Sequence, residues 1–117
     1  MLKTETVLRI RDTGIMAIVR VENMERGTEI AQACLDGGVD VLEISYTLDN
    51  AGEIISGLSK EFGDKILIGA GTVLDSETAR LAILSGAKFV IAPNFNKQVA
   101  LLCNRYQIAY APGCSTL

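Results

Sequence analysis

Short apolar runs alternate with longer amphipathic stretches along nearly the whole chain. The apolar runs predict strands at 15–21, 39–45, 65–73, 88–93 and 108–113. The amphipathic stretches predict helices at 4–13, 22–38, 51–63, 75–87 and 96–107. Strands that alternate with helices indicate βαβ units, and hence a parallel sheet. Both faces of the strands are apolar, as in a sheet that is covered on both sides.

Two kinds of residue mark the expected ends of these helices. Gly37 or Gly38 supplies the left-handed residue after the helix at 22–38. Asp75 or Ser76 is expected to cap the start of the helix at 75–87.

Two architectures fit this order of elements. Five strands in 117 residues suit an open, flavodoxin-like parallel sheet. The alternative is the first part of a (β/α)8 barrel, or TIM barrel, which normally needs about 250 residues. Length by itself favours the open sheet. No internal boundary is expected, so residues 1–117 are assigned to one domain.

Glu43 interrupts an otherwise apolar strand, where a carboxylate is costly to bury. Alternation along the strand places it on the same face as Ser45 and Thr47. The opposite face carries Leu42 and Ile44, which suit packing against helices. We therefore expect Glu43 to point to the side away from those helices, which in a barrel is the interior.

Two hypotheses account for a buried Glu43. Desolvation would raise the pKa of its carboxyl group toward neutrality and make it a usable general base. Alternatively, Glu43 forms an ion pair with Arg20 on the neighbouring strand, since structural ion pairs also bury carboxylates. The two hypotheses are compatible.

Other polar residues follow the strands at the end where α/β folds place their chemistry. Arg20 ends the first strand, and Gly113, Ser115 and Thr116 follow the fifth. Thr72 ends the third, in the stretch GAGT, and alternation places it on the same side as Ile66, Ile68 and Ala70.

The glycines of GAGT at 69–72 have two readings, which the pattern leaves open. They make a tight turn from strand to helix, or they let the backbone approach a ligand that the Thr72 hydroxyl also contacts. The stretch is not a dinucleotide fingerprint, because Leu74 stands where the third glycine belongs, and the chain has no P-loop. No cofactor is expected.

Composition narrows the possible functions. The chain has no histidine, so imidazole catalysis and a histidine-based metal site are excluded, and no metal is expected. The net charge of −3 disfavours nucleic acid as a partner, and no apolar run approaches the length of a membrane span. Cys34, Cys103 and Cys114 lack CxxC spacing, so we expect reduced thiols, packed in or near the core of a cytoplasmic protein.

Five motifs together resemble the 2-keto-3-deoxy-6-phosphogluconate / 4-hydroxy-2-oxoglutarate (KDPG/KHG) aldolase family. In chain order they are GIMAIVRV, GGVDVLEISYT, IGAGTVLD, GAKFVIAPNFN and YAPGCST. The resemblance implies a (β/α)8 barrel, which overrides the argument from length. It also implies a homotrimeric class I aldolase that cleaves a keto acid, phosphorylated in the case of KDPG, to pyruvate and an aldehyde.

The resemblance carries roles to individual residues. Glu43 matches the glutamate that moves protons at the substrate carbons, and Thr72 matches a threonine that helps to hold the pyruvate carboxylate. The family often has an arginine for that carboxylate where this chain has Thr47. Arg20, one strand away, is a reasonable substitute. The departure leaves the substrate less defined than the type of reaction.

The resemblance also implies that the chain covers the amino-terminal half of such a barrel. The family's Schiff-base lysine lies on its sixth strand, whereas the lysines of this chain are Lys3, Lys60, Lys65, Lys88 and Lys97, none of them inside a predicted strand's apolar interior. We expect residues 1–117 alone to associate or aggregate and to lack aldolase activity.

Two other functions fit the residues. One is a phosphate-binding barrel isomerase or decarboxylase, which would need a second interior carboxylate that these strand ends do not offer. The other is a non-catalytic half-barrel assembly module that pairs with a partner half.

Overall fold

The computed structural model describes residues 2–116, in which five parallel strands and five helices alternate. The strands are β1 (Ala17–Val19), β2 (Val41–Ser45), β3 (Leu67–Gly71), β4 (Phe89–Ala92) and β5 (Ala109–Pro112). The helices are α1 (Lys3–Thr13), α2 (Met24–Asp36), α3 (Ala51–Phe62), α4 (Ser76–Ser85) and α5 (Lys97–Arg105), with a 3-10 turn at Gly63–Lys65. Every predicted element is present, and most are a residue or two shorter at each end than predicted.

The strands lie in the order β1-β2-β3-β4-β5, each beside its neighbour in sequence. A flavodoxin-like sheet has the order 2-1-3-4-5 because its chain reverses direction across the sheet. This sheet never reverses, as is typical of a (β/α)8 barrel. The open-sheet alternative, which length favoured, is therefore wrong.

The two faces of the sheet are covered to different extents. On the outer face, side chains of β2 to β4 pack with the apolar sides of α2 to α5 in the main core; its large members include Leu42, Ile44, Ile54, Ile55, Leu58, Ile68 and Val90. The opposite face, here called the inner face, has a smaller cluster formed by the first residues of β2 to β5. Ile10 of α1 and Met16 pack against that cluster. Further along the inner face, Ile18 of β1 is 56% exposed.

Helix α1 is tied to the amino end of the sheet by polar contacts. Arg9 donates to the Asp40 carboxylate at 3.1 Å and to the backbone carbonyls of Asp64 and Lys65. Thr13 donates to the other oxygen of Asp40 at 2.9 Å. These contacts place α1 against the inner cluster.

The helix caps decide between the expected alternatives. Gly38, with φ of +91°, is the left-handed residue after α2, whereas Gly37 has φ of −83°. Asp75 caps α4, because its side chain accepts from the backbone N–H of Thr78 at 2.7 Å. Within residues 2–116, no helix is long and apolar enough to cross a membrane.

Candidate functional site

The polar residues predicted at the strand ends come together at the carboxyl ends of β1 to β3. Glu43 and Ser45 belong to β2, and Thr47 follows it. Thr72 follows β3, and Arg20 follows β1. Because the strands are parallel and adjacent, residues from three separate parts of the chain share one edge of the sheet.

Glu43 lies on the inner face, as alternation predicts. Its Cα pairs in register with Ile18 of β1 and with Gly69 of β3, and the residue is 6% exposed. Burial raises the pKa of the Glu43 carboxyl group above its ordinary value, and the charge of Arg20 only partly offsets this rise. A carboxyl group with a raised pKa releases and takes up a proton more readily near neutral pH.

The ion pair between Arg20 and Glu43, one of the two hypotheses for a buried Glu43, is not formed. Within residues 2–116, the ion pairs are Arg9–Asp40, Arg11–Asp12 and Arg26–Glu29. Arg20 has an exposed side chain and acts on Glu43 through space. The structure therefore does not support the ion-pair hypothesis, and the role of Glu43 as a general base stays a prediction.

Gly71 makes room for the Glu43 carboxylate. A β-carbon at Gly71 would overlap the carboxylate, and a β-carbon at Gly69 would overlap the ring of Phe89. Both glycines are therefore needed for side-chain packing on the inner face. These contacts are enough to explain the two glycines of GAGT. Neither of the two interpretations, a tight turn or a close approach of the backbone to a ligand, is required to explain them.

Three hydroxyl groups form a cluster next to Glu43, here called the hydroxyl cluster. The Ser45 Oγ lies 3.2 Å from the Thr47 Oγ1 and 3.1 Å from the Thr72 Oγ1. Ser45 is 1% exposed, whereas Thr72 is half-buried and Thr47 exposed. The cluster joins the end of β2 to the end of β3 and presents neutral hydrogen-bond donors beside a buried carboxyl group.

The predicted orientation of Thr72 is wrong. Alternation placed it with Ile68 and Ala70, which pack in the outer core, yet its hydroxyl bonds to Ser45 of the inner face. The backbone of Thr72 has φ of +55°, so the alternation of the strand stops at Gly71. A β-branched residue in this region carries strain of about 1–3 kcal/mol, and such residues concentrate at functional sites.

A second group of predicted residues lies at the ends of β4 and β5. A cleft of about 520 Å³ there is lined by Asn94, Phe95, Gly113, Cys114, Ser115 and Thr116. These residues share the edge of the sheet that holds Glu43, but none contacts the hydroxyl cluster through a hydrogen bond within residues 2–116.

The cysteines only partly follow their expected positions. All three are free thiols, and Cys103 is buried, which raises the pKa of its thiol to about 11. Cys34 is half-buried against the core. Cys114 is exposed, so the prediction of core packing is wrong there, because the residue follows the last strand and lines the cleft.

Two residues that matter at the site were missed as candidates. Alternation places Ser45 on the same face of β2 as Glu43 and Thr47, so the sequence pattern could have identified it as a candidate. Gly71 lies beside Ser45 in register, and only the pairing of β2 with β3 shows that its missing side chain leaves space for Glu43. In residues 2–116, no group of three or more acidic, cysteine or histidine side chains is arranged to hold a metal ion.

Comparison with known proteins finds relatives of this chain. A family model described as KDPG and KHG aldolase matches residues 7–117. A curated 2-dehydro-3-deoxy-phosphogluconate aldolase of Treponema pallidum is 33% identical over 112 residues, covering 96% of this chain and 51% of the relative. The KHG/KDPG aldolase of Escherichia coli is 31% identical over 109 residues, covering 92% of this chain and 51% of the relative.

A solved structure is similar as well. The KDPG aldolase of Legionella pneumophila, with pyruvate captured as a covalent carbinolamine intermediate, has a TM-score of 0.78 and 27% identity. The match covers 83% of this chain and 47% of that one. The chain thus spans about half the length of the relatives it matches. Because the family model matches residues 7–117, nearly the whole of this chain, the chain belongs to the KDPG and KHG aldolase family.

Proposed function

We propose that the natural gene product containing residues 1–117 is a class I aldolase that cleaves KDPG or KHG to pyruvate and an aldehyde. The observation that carries the proposal is Glu43, a buried carboxyl group with a raised pKa beside a cluster of hydroxyl donors. Proton transfer next to a bound anion is what cleavage of a keto acid needs. The names of the relatives support phosphorylated keto acids as the substrate class.

Glu43 is proposed to move protons during cleavage. With the keto carbon held as a Schiff base, removal of the proton from the substrate C4 hydroxyl lets the C3–C4 bond break. The bond's electrons pass into the iminium group, which gives an enamine and releases the aldehyde. Glu43 then returns the proton to C3, so that hydrolysis frees pyruvate. The position of Glu43 on the inner face supports both steps being carried out by one group.

Thr72, Thr47 and Arg20 are proposed to hold the substrate carboxylate. Thr47 and Thr72 each have a hydroxyl bonded to Ser45, and both are at least partly accessible. Arg20 adds a positive charge at the same edge, close enough to influence Glu43. Neutral hydroxyl groups would then supply contacts for which the family often uses an arginine.

The Schiff-base lysine is proposed to come from outside residues 1–117. Lys3, Lys60 and Lys97 lie on helices. Lys65 ends the 3-10 turn two residues before β3, and Lys88 immediately precedes β4, both at the amino end of the sheet. None of these positions is beside Glu43. The carbinolamine in the Legionella pneumophila enzyme supports covalent capture of pyruvate in this family. Residues 1–117 would accordingly be the amino-terminal half of a barrel, in a cytoplasmic homotrimer.

The test is reductive trapping on the natural gene product. Incubation with pyruvate and borohydride should give a stable adduct, located by mass spectrometry on a lysine outside residues 1–117. Residues 1–117 expressed alone should give no adduct and should self-associate, because β1 and β5 each have one unpaired edge. A monomeric 1–117 fragment that is trapped by pyruvate would contradict the proposal, as would a full product that forms no adduct.

A second candidate is a non-catalytic half barrel that pairs with a partner half. A partner half would cover Ile18, which is 56% exposed on the inner face, but the second half of an aldolase barrel would cover it equally. The mass of the natural gene product separates the candidates. A product about twice as long as this chain, which a whole barrel requires, favours the aldolase. The isomerase or decarboxylase has less support, since Glu43 is the one carboxylate in β1 to β5.

A further inference from the structure

Ser45 lies at the centre of the hydroxyl cluster, although none of the proposed contacts with substrate uses it. Its Oγ is within hydrogen-bond distance of both threonine hydroxyls, at 3.2 Å and 3.1 Å. At 1% exposure it is too deeply buried to meet a ligand directly. Thr47 and Thr72 lie nearer the surface and can do so. Ser45 is therefore placed to act on a ligand through its two neighbours.

The number of protons in the cluster limits how its hydrogen bonds can run. Three hydroxyl groups carry three protons, and the two hydrogen bonds within the cluster use two of them. If both threonines donated to Ser45, the serine proton would be left buried without an acceptor, which is costly. The favoured arrangement has Ser45 donating to one threonine and accepting from the other. One threonine proton then remains free to point outward.

The backbone conformation of Thr72 indicates a second role for Ser45. At φ of +55°, Thr72 has a conformation that β-branched residues avoid, and its side chain faces the inner side only because of it. The hydrogen bond between the Ser45 and Thr72 hydroxyls holds the Thr72 side chain on that side. The Cα of Ser45 pairs in register with the Cα of Gly71, the residue before Thr72. Ser45 and Thr72 therefore lie together at the ends of β2 and β3.

We propose that Ser45 is a positioning residue of the aldolase: it orients the Thr72 and Thr47 hydroxyls and leaves one hydroxyl proton free for the substrate carboxylate. The inference rests on the proposed function, in which these threonines hold that carboxylate. It attributes part of the affinity for the substrate to a serine that does not contact the substrate. It also explains how a site with Thr47 in place of an arginine binds an anion through neutral hydroxyl groups.

The test compares Ser45→Ala with Ser45→Thr in the natural gene product, with Ser76→Ala of α4 as the control. Ser45→Ala should raise KM for the keto acid about tenfold, the scale of one hydrogen bond to a charged group, and leave kcat close to the wild-type value. Ser45→Thr keeps the hydroxyl and should restore KM. Ser76→Ala should change neither constant.

Several outcomes would overturn this role. One is an unchanged KM in Ser45→Ala. Another is a Ser45→Ala enzyme with both a lower kcat and a higher KM, neither of which Ser45→Thr restores, because that result would indicate a merely structural serine. If Ser45→Ala does not fold, Ser45→Cys replaces it, because a thiol has a similar shape and is a weaker donor. That variant should raise KM severalfold, and an unchanged KM would again overturn the role.

Failure of the Ser45 role and failure of the proposed function give different results. A natural gene product that forms a borohydride-stable pyruvate adduct but is indifferent to Ser45→Ala retains the aldolase and loses the role of Ser45. A product that forms no adduct loses both.

Discussion

Two carboxylates at either end of one short segment, Asp40 and Glu43, have opposite surroundings. Asp40 immediately precedes β2 and accepts hydrogen bonds from Thr13 and Arg9. Glu43 lies inside β2. None of the ion pairs within residues 2–116 involves it, and its carboxyl group is affected by burial and by the charge of Arg20 without a hydrogen-bond donor. The partners of Asp40 belong to α1, which packs at the amino end of the sheet, whereas Glu43 lies further toward the carboxyl end.

The pKa values of the two groups differ accordingly. Burial by itself would raise the pKa of Asp40, but the hydrogen bond from Thr13 and the charge of Arg9 outweigh it and lower that pKa. For Glu43, burial outweighs the charge of Arg20 and raises the pKa. The comparison teaches that two carboxyl groups three residues apart titrate in opposite directions, because one has hydrogen-bond partners and a cation beside it and the other is mainly desolvated.

The largest expected effect is on catalysis by Glu43. Glu43→Gln in the natural gene product should lower retro-aldol turnover about 10²–10⁴-fold, the usual contribution of a positioned acid–base group. Asp40→Asn is the matched control, because the same change at the other end of the segment should leave turnover close to wild type. Steady-state kinetics measure both. Full activity in Glu43→Gln would show that the base is another residue.

The next effect concerns the space that Gly71 leaves for Glu43. Gly71→Ala should lower the free energy of unfolding by about 1–3 kcal/mol, because the new methyl group overlaps the carboxylate. Denaturant unfolding measures the loss. Gly37→Ala is the control and should not show this loss, because a β-carbon there lies 3.4 Å from its nearest neighbour, the Ala33 carbonyl oxygen.

A double variant identifies the cause of that loss. In a Glu43→Ala background the carboxylate is gone, so Gly71→Ala should cost much less. An equal cost in both backgrounds would mean that Gly71 is required for its backbone and not for the space beside Glu43.

A smaller effect is a gain in stability at Glu43. Because the pKa of Glu43 is raised in the folded state, ionisation opposes folding, and stability falls as pH rises above the unfolded-state value of 4.5. Glu43→Gln should therefore be more stable than wild type at pH 7, because the neutral amide avoids the cost of burying an ionised carboxylate. The gain should shrink toward acid pH. Thermal unfolding across a pH series would show it, and a gain that is constant with pH would contradict the stated cause.

The smallest effect has the opposite sign and concerns Asp40. Its pKa is lowered in the folded state, so its contribution to stability is complete above the unfolded-state value of 3.8 and is lost as pH falls through the folded-state pKa. Since Arg9 and Asp40 are 22% and 34% exposed, Asp40→Asn should cost at most about 1 kcal/mol at pH 7. The same pH series should show this cost disappearing in acid. If both variants shifted stability in one direction, the contrast between the two ends would be broken.

Local patterns predicted most of the elements and one side of the site. Apolar spacing located each strand and helix to within a few residues, since burial on a pleated or helical surface repeats at a fixed period. The same alternation put Glu43 on the inner face. It failed at Thr72, because alternation holds only while the backbone stays extended, and Thr72 turns left-handed one residue beyond β3.

The contacts between distant parts of the chain could not be predicted in this way. An ion pair between Arg20 and Glu43 was one of two hypotheses that neighbouring strands allowed, yet Arg20 remains exposed and the pair is not formed. The core position expected for Cys114 failed because this residue lies beyond the last strand. Each depends on where a strand ends relative to its neighbour, which a periodic pattern does not specify.

By itself, the sequence determined the alternation of strands and helices, the face of β2 that carries Glu43, and the resemblance to an aldolase family that the comparisons confirmed. Only the tertiary structure decided the strand order that excludes an open flavodoxin-like sheet, the space at Gly71, and the bonding of Ser45 to two threonines. The physical reason is that side-chain period is a property of one segment. Register, desolvation and hydrogen-bond partners are instead set by the neighbouring segments, which the fold alone brings together.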